Sequence, residues 1–265
     1  MSTKRFFILL FLISITLFSH KLTAYDYRPD KQKTIVNPER KELFIGEDLL
    51  YRLELFGIPI GWINLKVKEK TLFKGYHCYH IAGYAYTNRF FKKIYDVTYE
   101  VDAYIDTETL LPYRFQKKRI LKGELTKISI DFDGEKKQII ISDEVHKGSQ
   151  GQIINLNEIQ HDLLSSLYYF RLMQIQADKN YNLNVFYGKS NWVINIKVNS
   201  PEVMDMYKQG SICVFLTEIT TDLSQVILGT PRLTVYFTND IKRIPFLFYL
   251  RIPFGHLRGK IYNLK

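Results

Sequence analysis

The sequence predicts a mainly β protein with two similar lobes of antiparallel, curved sheet or half-barrel and one central α-helix. Short runs rich in Ile, Val, Tyr, Phe and Thr, separated by glycine, proline and Asx turns, favour strands over most of the chain. One segment, residues 162–175, has the period of a helix instead. A pattern of about 90 residues occurs on both sides of that segment, which indicates two copies of one β unit.

The first 24 residues have the pattern of an export signal. Lys4 and Arg5 precede an apolar stretch, residues 6–18, whose 13 residues are fewer than the roughly 20 that a membrane-spanning helix needs. We expect cleavage after Ala24, which implies a periplasmic or secreted protein without a transmembrane helix in its mature form. Removal of this segment takes away three basic residues and no acidic residue, and lowers the net charge from +10 to +7.

The positive charge that remains is spread along the chain, as is typical of a solvated surface. In an exported protein it favours lipids, glycans or other envelope components as partners, and not nucleic acid. The sequence does not indicate an oligomeric state. Two cysteines, Cys78 and Cys213, permit one disulfide in an oxidising compartment.

The chain divides into four parts after the predicted signal. Residues 25–42 are polar, carry two prolines and have no period, so we expect a flexible N-terminal segment. Residues 43–150 are the first β repeat, in which residues 95–106 alternate between apolar and polar types as a half-buried strand does. Residues 151–180 form a linker with the helix, and residues 181–265 form the second β repeat. We expect the two repeats and the linker to form one compact unit.

The two repeats share a sequence run and a spacing. WINLKV, which begins at Trp62, matches WVINIKV, which begins at Trp192, and a Gly-x-x-Cys pattern ending at Cys78 or Cys213 follows each run. Further on, a tyrosine precedes a proline by eight or nine residues, namely Tyr104 before Pro112 and Tyr236 before Pro245. A disulfide between the matching cysteines requires that they approach each other across a pseudo-twofold axis, and free thiols are the alternative.

The segment FKGYHCYHI, residues 73–81, has the composition of a metal or thiol site. In a strand, however, His77 and His80 point to opposite faces and do not hold one metal ion together. The second repeat keeps the glycine and the cysteine but lacks the histidines, which favours a structural strand. A nucleophile and base formed by Cys78 and His80 is the alternative, and it requires an exposed cleft.

Four acidic residues, Asp96, Glu100, Asp102 and Asp106, share one face of the predicted strand at 95–106. Paired carboxylates can hydrolyse sugars or bind a cation, so these residues are candidates for either kind of site. Glycosidase carboxylates usually come from different strands, so a solvated face paired with the basic strand that follows is the simpler interpretation.

Arg171 lies within the apolar arc of the predicted helix, which comprises Phe170, Leu163, Leu167, Leu164, Ile175 and Tyr168. A charge in that position must reach solvent, find a carboxylate or bind main-chain carbonyls. Arg171 therefore either pins the helix to the sheet or binds an anion in a cavity, and Asp240, in the turn FTNDIKRIPF, is the first candidate for its partner. The candidate ligand-binding residues are Arg171, Asp240, Arg243, Tyr168 and Trp62.

Three segments resemble an exported bacterial family known as domain of unknown function 3108: LYRLELFGIPIGWINLKV, HDLLSSLYYFR and VYFTNDIKRIPFLFYLRIPFGHLRGKI. The family pattern falls on Tyr51, Gly61, Asp162, Ser165, Tyr168, Arg171, Thr238, Asp240, Arg243 and Pro245. The resemblance implies a secreted or periplasmic β-rich fold, and it implies no activity because none is established for the family.

The sequence contains no phosphate loop, zinc-ligand spacing, nucleophile elbow or dinucleotide fingerprint, and it indicates no cofactor. This lowers the expectation of an enzyme. Curved sheets around a helix tend to leave an apolar pocket, so the leading hypothesis is a non-catalytic envelope protein that binds an amphiphile or glycan, or that serves envelope maintenance. The alternatives are an envelope hydrolase with carboxylates from both lobes and a protein-interaction module with an exposed sheet edge or apolar patch.

Overall fold

The computed structural model describes most of the chain after the predicted signal segment. The described residues are 34–39, 42–145, 151–158, 160–187, 190–206, 210–221, 232–252 and 255–264. The predicted signal, with its cleavage after Ala24, lies outside them. None of the helices in these ranges is long and apolar enough to span a bilayer.

Fourteen strands and two helices are present in the described residues. The first eight strands are β1 (Asp48–Leu55), β2 (Ile58–Phe73), β3 (Tyr76–Thr87), β4 (Val97–Asp106), β5 (Pro112–Leu121), β6 (Glu124–Asp133), β7 (Gln138–Asp143) and β8 (Gln152–Asn155). The remaining strands are β9 (Asn180–Tyr187), β10 (Ser190–Met206), β11 (Gly210–Thr221), β12 (Arg232–Thr238), β13 (Pro245–Ile252) and β14 (Gly255–Leu264). The helices are α1 (Arg89–Lys92), between β3 and β4, and α2 (Leu163–Leu172), between β8 and β9.

All strands belong to one curved, unclosed antiparallel sheet with the order β8-β7-β6-β5-β4-β3-β2-β1-β14-β13-β12-β11-β10-β9. The predicted fold class is confirmed, since strands β1–β8 form one curved lobe, β9–β14 form a similar one, and the main helix lies between them in the chain. The one-turn helix α1 is an addition that the sequence pattern did not predict.

The lobes meet at two places, once by strand pairing and once by a ring contact. The first strand of the first lobe, β1, pairs with the sixth strand of the second lobe, β14. The first strand of the second lobe, β9, returns to the sixth strand of the first lobe, β6, where the rings of Phe186 and Phe132 lie 6.4 Å apart, edge to face. A pseudo-twofold relation between two copies of a six-stranded meander explains both contacts.

The register of the strands supports the internal duplication. In the first lobe Ile105 pairs with Pro112, and the register shifts just before this pair. In the second lobe Phe237 pairs with Pro245, again directly after a shift. The residue two positions before each proline, Leu110 or Arg243, has a positive φ of 60° or 46°. Non-glycine residues rarely adopt this conformation, so its recurrence at matching positions is a specific similarity.

The match between Trp62 and Trp192 was wrong by one residue. Ile63 and Leu65 of β2 contact the core, so Trp62 points to the outer face. Ile194 and Ile196 of β10 contact the core, so Trp192 lies on the core-facing side. The two lobes share the run Ile-Asn-φ-Lys-Val, in which φ is an apolar residue, Leu65 or Ile196. Its apolar and polar residues alternate as the two faces of the strand do.

Of the two alternatives for the cysteines, the structure has free thiols at Cys78 and Cys213. Cys78 is on β3 and Cys213 on β11, and the lobes join side by side through β1 and β14. The matching strands are therefore separated along the sheet by six strand spacings of about 4.8 Å each. Equivalence in sequence does not bring these two thiols together.

The helix α2 is enclosed by the sheet. Leu164 and Tyr168 pack into the core of the first lobe with residues such as Ile81 and Ile105. Phe170 packs into the core of the second lobe, where its ring lies 5.3 Å from that of Phe237. One helix therefore contributes to the apolar cores of both lobes.

This enclosure differs from the amphipathic helix that the sequence suggested. Ser165 and Ser166, opposite the apolar arc, are buried, whereas Leu163 is 42 % exposed. The two serine hydroxyls donate to the carbonyls of Asp162 and Leu163, which satisfies them inside the protein. A helix that lies between two lobes has no broad face in contact with solvent. The polarity of its side chains therefore does not indicate which side of the helix faces the sheet.

Residues 34–39 belong to the segment that was predicted to be flexible, but they are held against α2 and the second lobe. Ile35 is buried in the core of the second lobe. The Val36 amide donates to Asn239 Oδ1 at 2.8 Å, and the Asn37 side chain both donates to and accepts from the backbone of Ile175. Side-chain partners from distant residues fix this short piece, which its own composition did not reveal.

Gly61 offers a test of the strand packing. A Cβ atom at Gly61 would lie 2.3 Å from the carbonyl oxygen of Tyr86, a backbone atom of the neighbouring strand that has no rotamer to change. We expect Gly61→Ala to lower the free energy of unfolding by about 1–3 kcal/mol, measured by urea denaturation. Gly134→Ala is the matched control, since a Cβ there meets nothing within 4 Å. Equal stability of the two variants would contradict the described packing of β2 on β3.

Candidate functional site

The centre of the protein contains a buried ion pair between Glu47 and Arg171. The two Nη atoms of Arg171 donate to Oε1 and Oε2 of Glu47 at 2.7 and 2.6 Å, and both side chains are 4 % exposed. Tyr168 donates its hydroxyl to Glu47 at 3.3 Å, and its ring lies 4.9 Å from the guanidinium carbon of Arg171. Glu47, just before β1, thus ties the sheet to α2.

Arg171 also binds the turn between β12 and β13. Its Nε donates to the carbonyl of Arg243 at 3.0 Å, and its Nη2 donates to the carbonyl of Lys242 at 3.0 Å. Although burial opposes the charge, the hydrogen bonds and charge of Glu47 raise the pKa of Arg171, so the arginine stays protonated. The cavity beside it measures about 10 Å³, close to the size of one water molecule. Protein groups therefore surround Arg171, as expected for the arginine that pins the helix to the sheet, which was one of its two interpretations.

Asp240 is not the partner of Arg171, contrary to the sequence-based expectation. Its Oδ1 accepts from the Thr238 hydroxyl and from the amides of Lys242 and Arg243, at 2.8–2.9 Å. The aspartate is used to form its own turn, and that turn presents carbonyls to Arg171. Glu47 was missed because it lies 124 residues from Arg171 in the sequence and carries no motif.

Arg243 lies at the carboxyl end of α2 and is fully buried. Its Nη1 donates to the carbonyls of Phe170 at 3.2 Å and Met173 at 2.6 Å, and its Nη2 donates to Val36 and Asn37. Burial lowers the pKa of Arg243 to about 10, which leaves it charged at neutral pH. A cation here satisfies carbonyls that have no partner within the helix and complements the helix dipole.

The amino end of α2 is fixed by a capping box. Oδ1 of Asp162 accepts from the amides of Leu164 and Ser165 at 2.6 and 3.0 Å, and the Ser165 hydroxyl accepts from the Asp162 amide at 2.8 Å. The Asp-x-x-Ser pattern singled out in the sequence is therefore a helix cap. The ring of His161 lies near the backbone of Leu110, and burial lowers the pKa of this histidine to about 4.

The arrangement at His161 is not a catalytic triad. Ser165 lies 3.3 Å from Nδ1 of His161 but has no exposed surface. The Asp162 carboxylate accepts hydrogen bonds from helix amides, so it caps the helix and does not orient the imidazole as a triad aspartate does. Burial raises the pKa of Asp162 to about 6. These groups terminate a helix and present no nucleophile to solvent.

Trp62 lies apart from the other four candidate ligand-binding residues. Its ring packs edge to face on Tyr262, 5.0 Å away, on the outer face of the sheet. The structure thus brings Arg171, Tyr168, Asp240 and Arg243 together around α2 and leaves Trp62 outside.

His80, Glu100 and Asp102 lie on the outer face of the sheet, whereas His77 is on the side of β3 that carries the core residues Tyr79 and Ile81. His80 binds Asp102 at 2.7 Å, and Glu100 pairs with Lys118 of the neighbouring strand at 3.0 Å. Burial raises the pKa of the Cys78 thiol to about 11, so this cysteine is not an activated nucleophile. No group of three or more metal-ligating side chains occurs in the part of the chain that the structure describes.

A second polar location is a pocket of about 420 Å³ at the rim of the first lobe, here called the hairpin pocket. Three turns from the same end of the sheet form it, namely β2–β3, β4–β5 and β6–β7, together with Leu156 and Gln160. Its principal side chains are Phe73, Lys74, Tyr76, Asp106, Tyr113, Asp131, Phe132, Asp133, Glu135, Lys136 and Lys137. The pocket has no signature in the sequence because its residues come from separate turns.

Aromatic rings form one wall of the hairpin pocket. Tyr76 and Tyr113 are stacked with ring centroids 4.6 Å apart, and 45 % of the Tyr76 surface remains exposed. Phe73 stacks on Tyr104 at 4.6 Å, with the guanidinium carbon of Arg114 5.1 Å from the Phe73 ring. Rings fixed by stacking offer a ligand flat apolar faces at little cost in side-chain entropy.

The carboxylates of the hairpin pocket are already paired. Asp131 accepts from Nε and Nη2 of Arg114, both at 2.7 Å, and Asp106 accepts from the Tyr113 hydroxyl at 2.8 Å. Although partial burial opposes the charge, these hydrogen bonds and backbone amides keep the pKa of both aspartates below its ordinary value. A hydrogen bond from the Lys136 amide lowers the pKa of Asp133. All three groups are therefore anionic at neutral pH.

Comparisons with known proteins agree with this fold. The sequence model of a family described as "Protein of unknown function (DUF3108)" matches residues 50–262. A solved structure titled as a β-barrel-like protein of domain of unknown function DUF1849, from Brucella abortus, is similar with a TM-score of 0.56 and 10 % identity. The similarity covers 83 % of this chain and 97 % of that chain. No curated protein sequence matches.

The buried ion pair makes a specific prediction. Arg171→Met leaves Glu47 buried without its partner, so we expect the free energy of unfolding to fall by about 3–5 kcal/mol in urea denaturation. The double variant Glu47→Leu/Arg171→Met removes both charges, and we expect it to recover at least half of this loss. Lys118→Met is the control, because it breaks an exposed pair and is expected to cost less than about 1 kcal/mol. An Arg171→Met variant as stable as the control would show that the ion pair does not hold α2.

Proposed function

The chain belongs to the DUF3108 family of proteins of unknown function, and we propose that it is an exported, non-catalytic binding protein whose hairpin pocket takes a neutral glycan. The observation that carries the proposal is the exposed, stacked pair Tyr76 and Tyr113 beside carboxylates that are already paired. Export rests on the signal pattern in the first 24 residues.

The interior favours a glycan over an amphiphile as the ligand. An acyl chain needs a long apolar cavity, but α2 fills the space between the lobes with Tyr168, Phe170 and Leu164. The hairpin pocket, at about 420 Å³, has the volume of ordinary small-molecule sites. Its rim position suits a ligand that remains largely hydrated, such as a sugar.

The charges of the hairpin pocket favour a neutral ligand. Lys74 pairs with Asp131 at 3.4 Å, and Lys136 pairs with Asp133 at 3.5 Å. Opposite charges that neutralise one another give no net attraction for an anion or a cation. They still offer donors and acceptors to hydroxyl groups, while a tyrosine face packs against the apolar face of a sugar ring.

Paired carboxylates also argue against the hydrolase alternative. A glycoside hydrolase needs one carboxylic acid that stays protonated near neutral pH. Asp106, Asp131 and Asp133 have a lowered pKa, so each is a poor general acid. A binding role uses the same groups as acceptors and needs no proton transfer.

The test is titration of the purified protein with a panel of neutral oligosaccharides, followed by saturation-transfer NMR and calorimetry. We expect at least one oligosaccharide to bind and Tyr76→Ala to weaken it about tenfold, because the exposed stacking face is lost. Tyr84→Ala is the matched control, since Tyr84 is 41 % exposed but lies outside the hairpin pocket. Unchanged affinity in Tyr76→Ala, or an equal loss in Tyr84→Ala, would refute the assignment of the pocket.

Two further measurements separate this proposal from its alternatives. Native mass spectrometry of protein purified from its own envelope should retain a glycan and not a lipid. Chromatography of the oligosaccharides after long incubation should return them intact, whereas cleavage products would establish a hydrolase.

A further inference from the structure

We propose that the end of the first lobe opposite the hairpin pocket docks on an anionic lipid membrane. Two connections meet at this end, the β1–β2 turn and the segment that carries α1 between β3 and β4. They expose five apolar side chains, here called the apolar tip: Phe56, Ile58, Phe90, Ile94 and Tyr95.

The apolar tip is strongly exposed. Phe90 is 68 % exposed, Phe56, Ile58 and Tyr95 are each 49 % exposed, and Ile94 is 41 % exposed. A single exposed apolar residue is ordinary, but five at one end of a lobe need a reason. Large side chains at the tips of turns, rather than on a flat face, have the shape of groups that enter a membrane interface.

The tip is held in place by the fold. Asn88 caps α1 by accepting from the Phe90 and Phe91 amides at 3.1 and 2.9 Å. The same side chain donates to the Pro59 carbonyl, and the Asn88 amide donates to Ile60 at 2.8 Å. One asparagine therefore joins both connections. The apolar residues are held together before binding, so the segment does not have to become ordered when it binds.

Charge identifies the partner as an anionic surface. The run Arg-Phe-Phe-Lys-Lys-Ile-Tyr, residues 89–95, places exposed Arg89, Lys92 and Lys93 directly among the apolar side chains. Asp96 lies 3.7 Å from Lys92 and offsets one of these charges, so an excess of positive charge remains. Basic groups at the level of the lipid phosphates attract the anionic surface, and apolar groups below them leave water. An interfacial site of this kind therefore has two sources of affinity.

Topology separates this site from the hairpin pocket. In an antiparallel sheet the β1–β2 and β3–β4 connections lie at one end, and the β2–β3 and β4–β5 turns lie at the other. A protein docked through the apolar tip therefore keeps the hairpin pocket away from the membrane, so the two proposals stand or fall separately.

The experiment is co-sedimentation of the purified protein with vesicles of phosphatidylcholine containing about one third phosphatidylglycerol, compared with vesicles of phosphatidylcholine alone. We expect stronger binding to the anionic vesicles. Phe90→Ser/Ile94→Ser should weaken that binding tenfold or more, because two apolar groups no longer leave water. Lys93→Glu should weaken it fivefold or more, with little change on neutral vesicles.

Matched controls come from exposed residues elsewhere. Leu72→Ser replaces an apolar residue that is 63 % exposed on β2, and Lys179→Glu makes the same charge change as Lys93→Glu at an exposed lysine outside the tip. All variants keep the same N-terminus, so any effect of the apolar stretch at 6–18 is common to them. If the double serine variant fails to fold, Lys93→Glu against Lys179→Glu decides the question.

Three results would overturn the proposal. The first is no preference of the unmodified protein for anionic vesicles. The second is an equal loss of binding in the tip variants and their controls. The third is an oligomer that Phe90→Ser/Ile94→Ser dissociates in light scattering while vesicle binding is absent, which would make the tip a contact between copies of this chain.

Discussion

The structure depends on one constraint, which is that a single helix must be held inside a sheet built from two lobes. The helix α2 buries side chains in both cores. The polar groups at its ends and in its middle therefore lose their contact with water, which costs free energy unless they find partners. Glu47 neutralises Arg171, Asp162 caps the amino end, and Arg243 binds the carbonyls of the carboxyl end. Each buried charge has partners, so the helix occupies one position.

One of these partners, Arg243, comes from a turn that the duplication repeats. Matching turns before Pro112 and Pro245 place Leu110 beside His161 at one end of α2, and Arg243 at the other end. The same position thus holds an apolar residue in one lobe and a cation in the other, and the cation lies at the carboxyl end of α2, where the helix dipole favours positive charge. Because α2 fills the interior, the two binding surfaces that we propose lie at the ends of the first lobe, where turns rather than core strands provide the side chains.

Local patterns predicted the fold well but the pairing of distant residues poorly. Period-two alternation and the repeated Ile-Asn-φ-Lys-Val run are properties of single strands, so they indicated the strands, the lobes and the helix. The tryptophan match was wrong by one residue because similarity in letters does not fix which face of a strand a side chain occupies. The Glu47–Arg171 pair and the hairpin pocket join residues far apart in sequence, so no local pattern indicated them. For Arg171 the sequence offered helix anchoring and anion binding as alternatives, and it did not indicate that Asp162 and Arg243 bind the two ends of that helix.

The most direct test of this account is hydrogen exchange of the backbone amides in the native protein. If the buried polar partners hold α2 between the lobes, then the amides of residues 167–172 should exchange only through global unfolding, with the same free energy as central amides of β3 and β11. Exchange of the α2 amides that is orders of magnitude faster, while both lobes remain protected, would show that the sheet stands without its helix and would contradict the account.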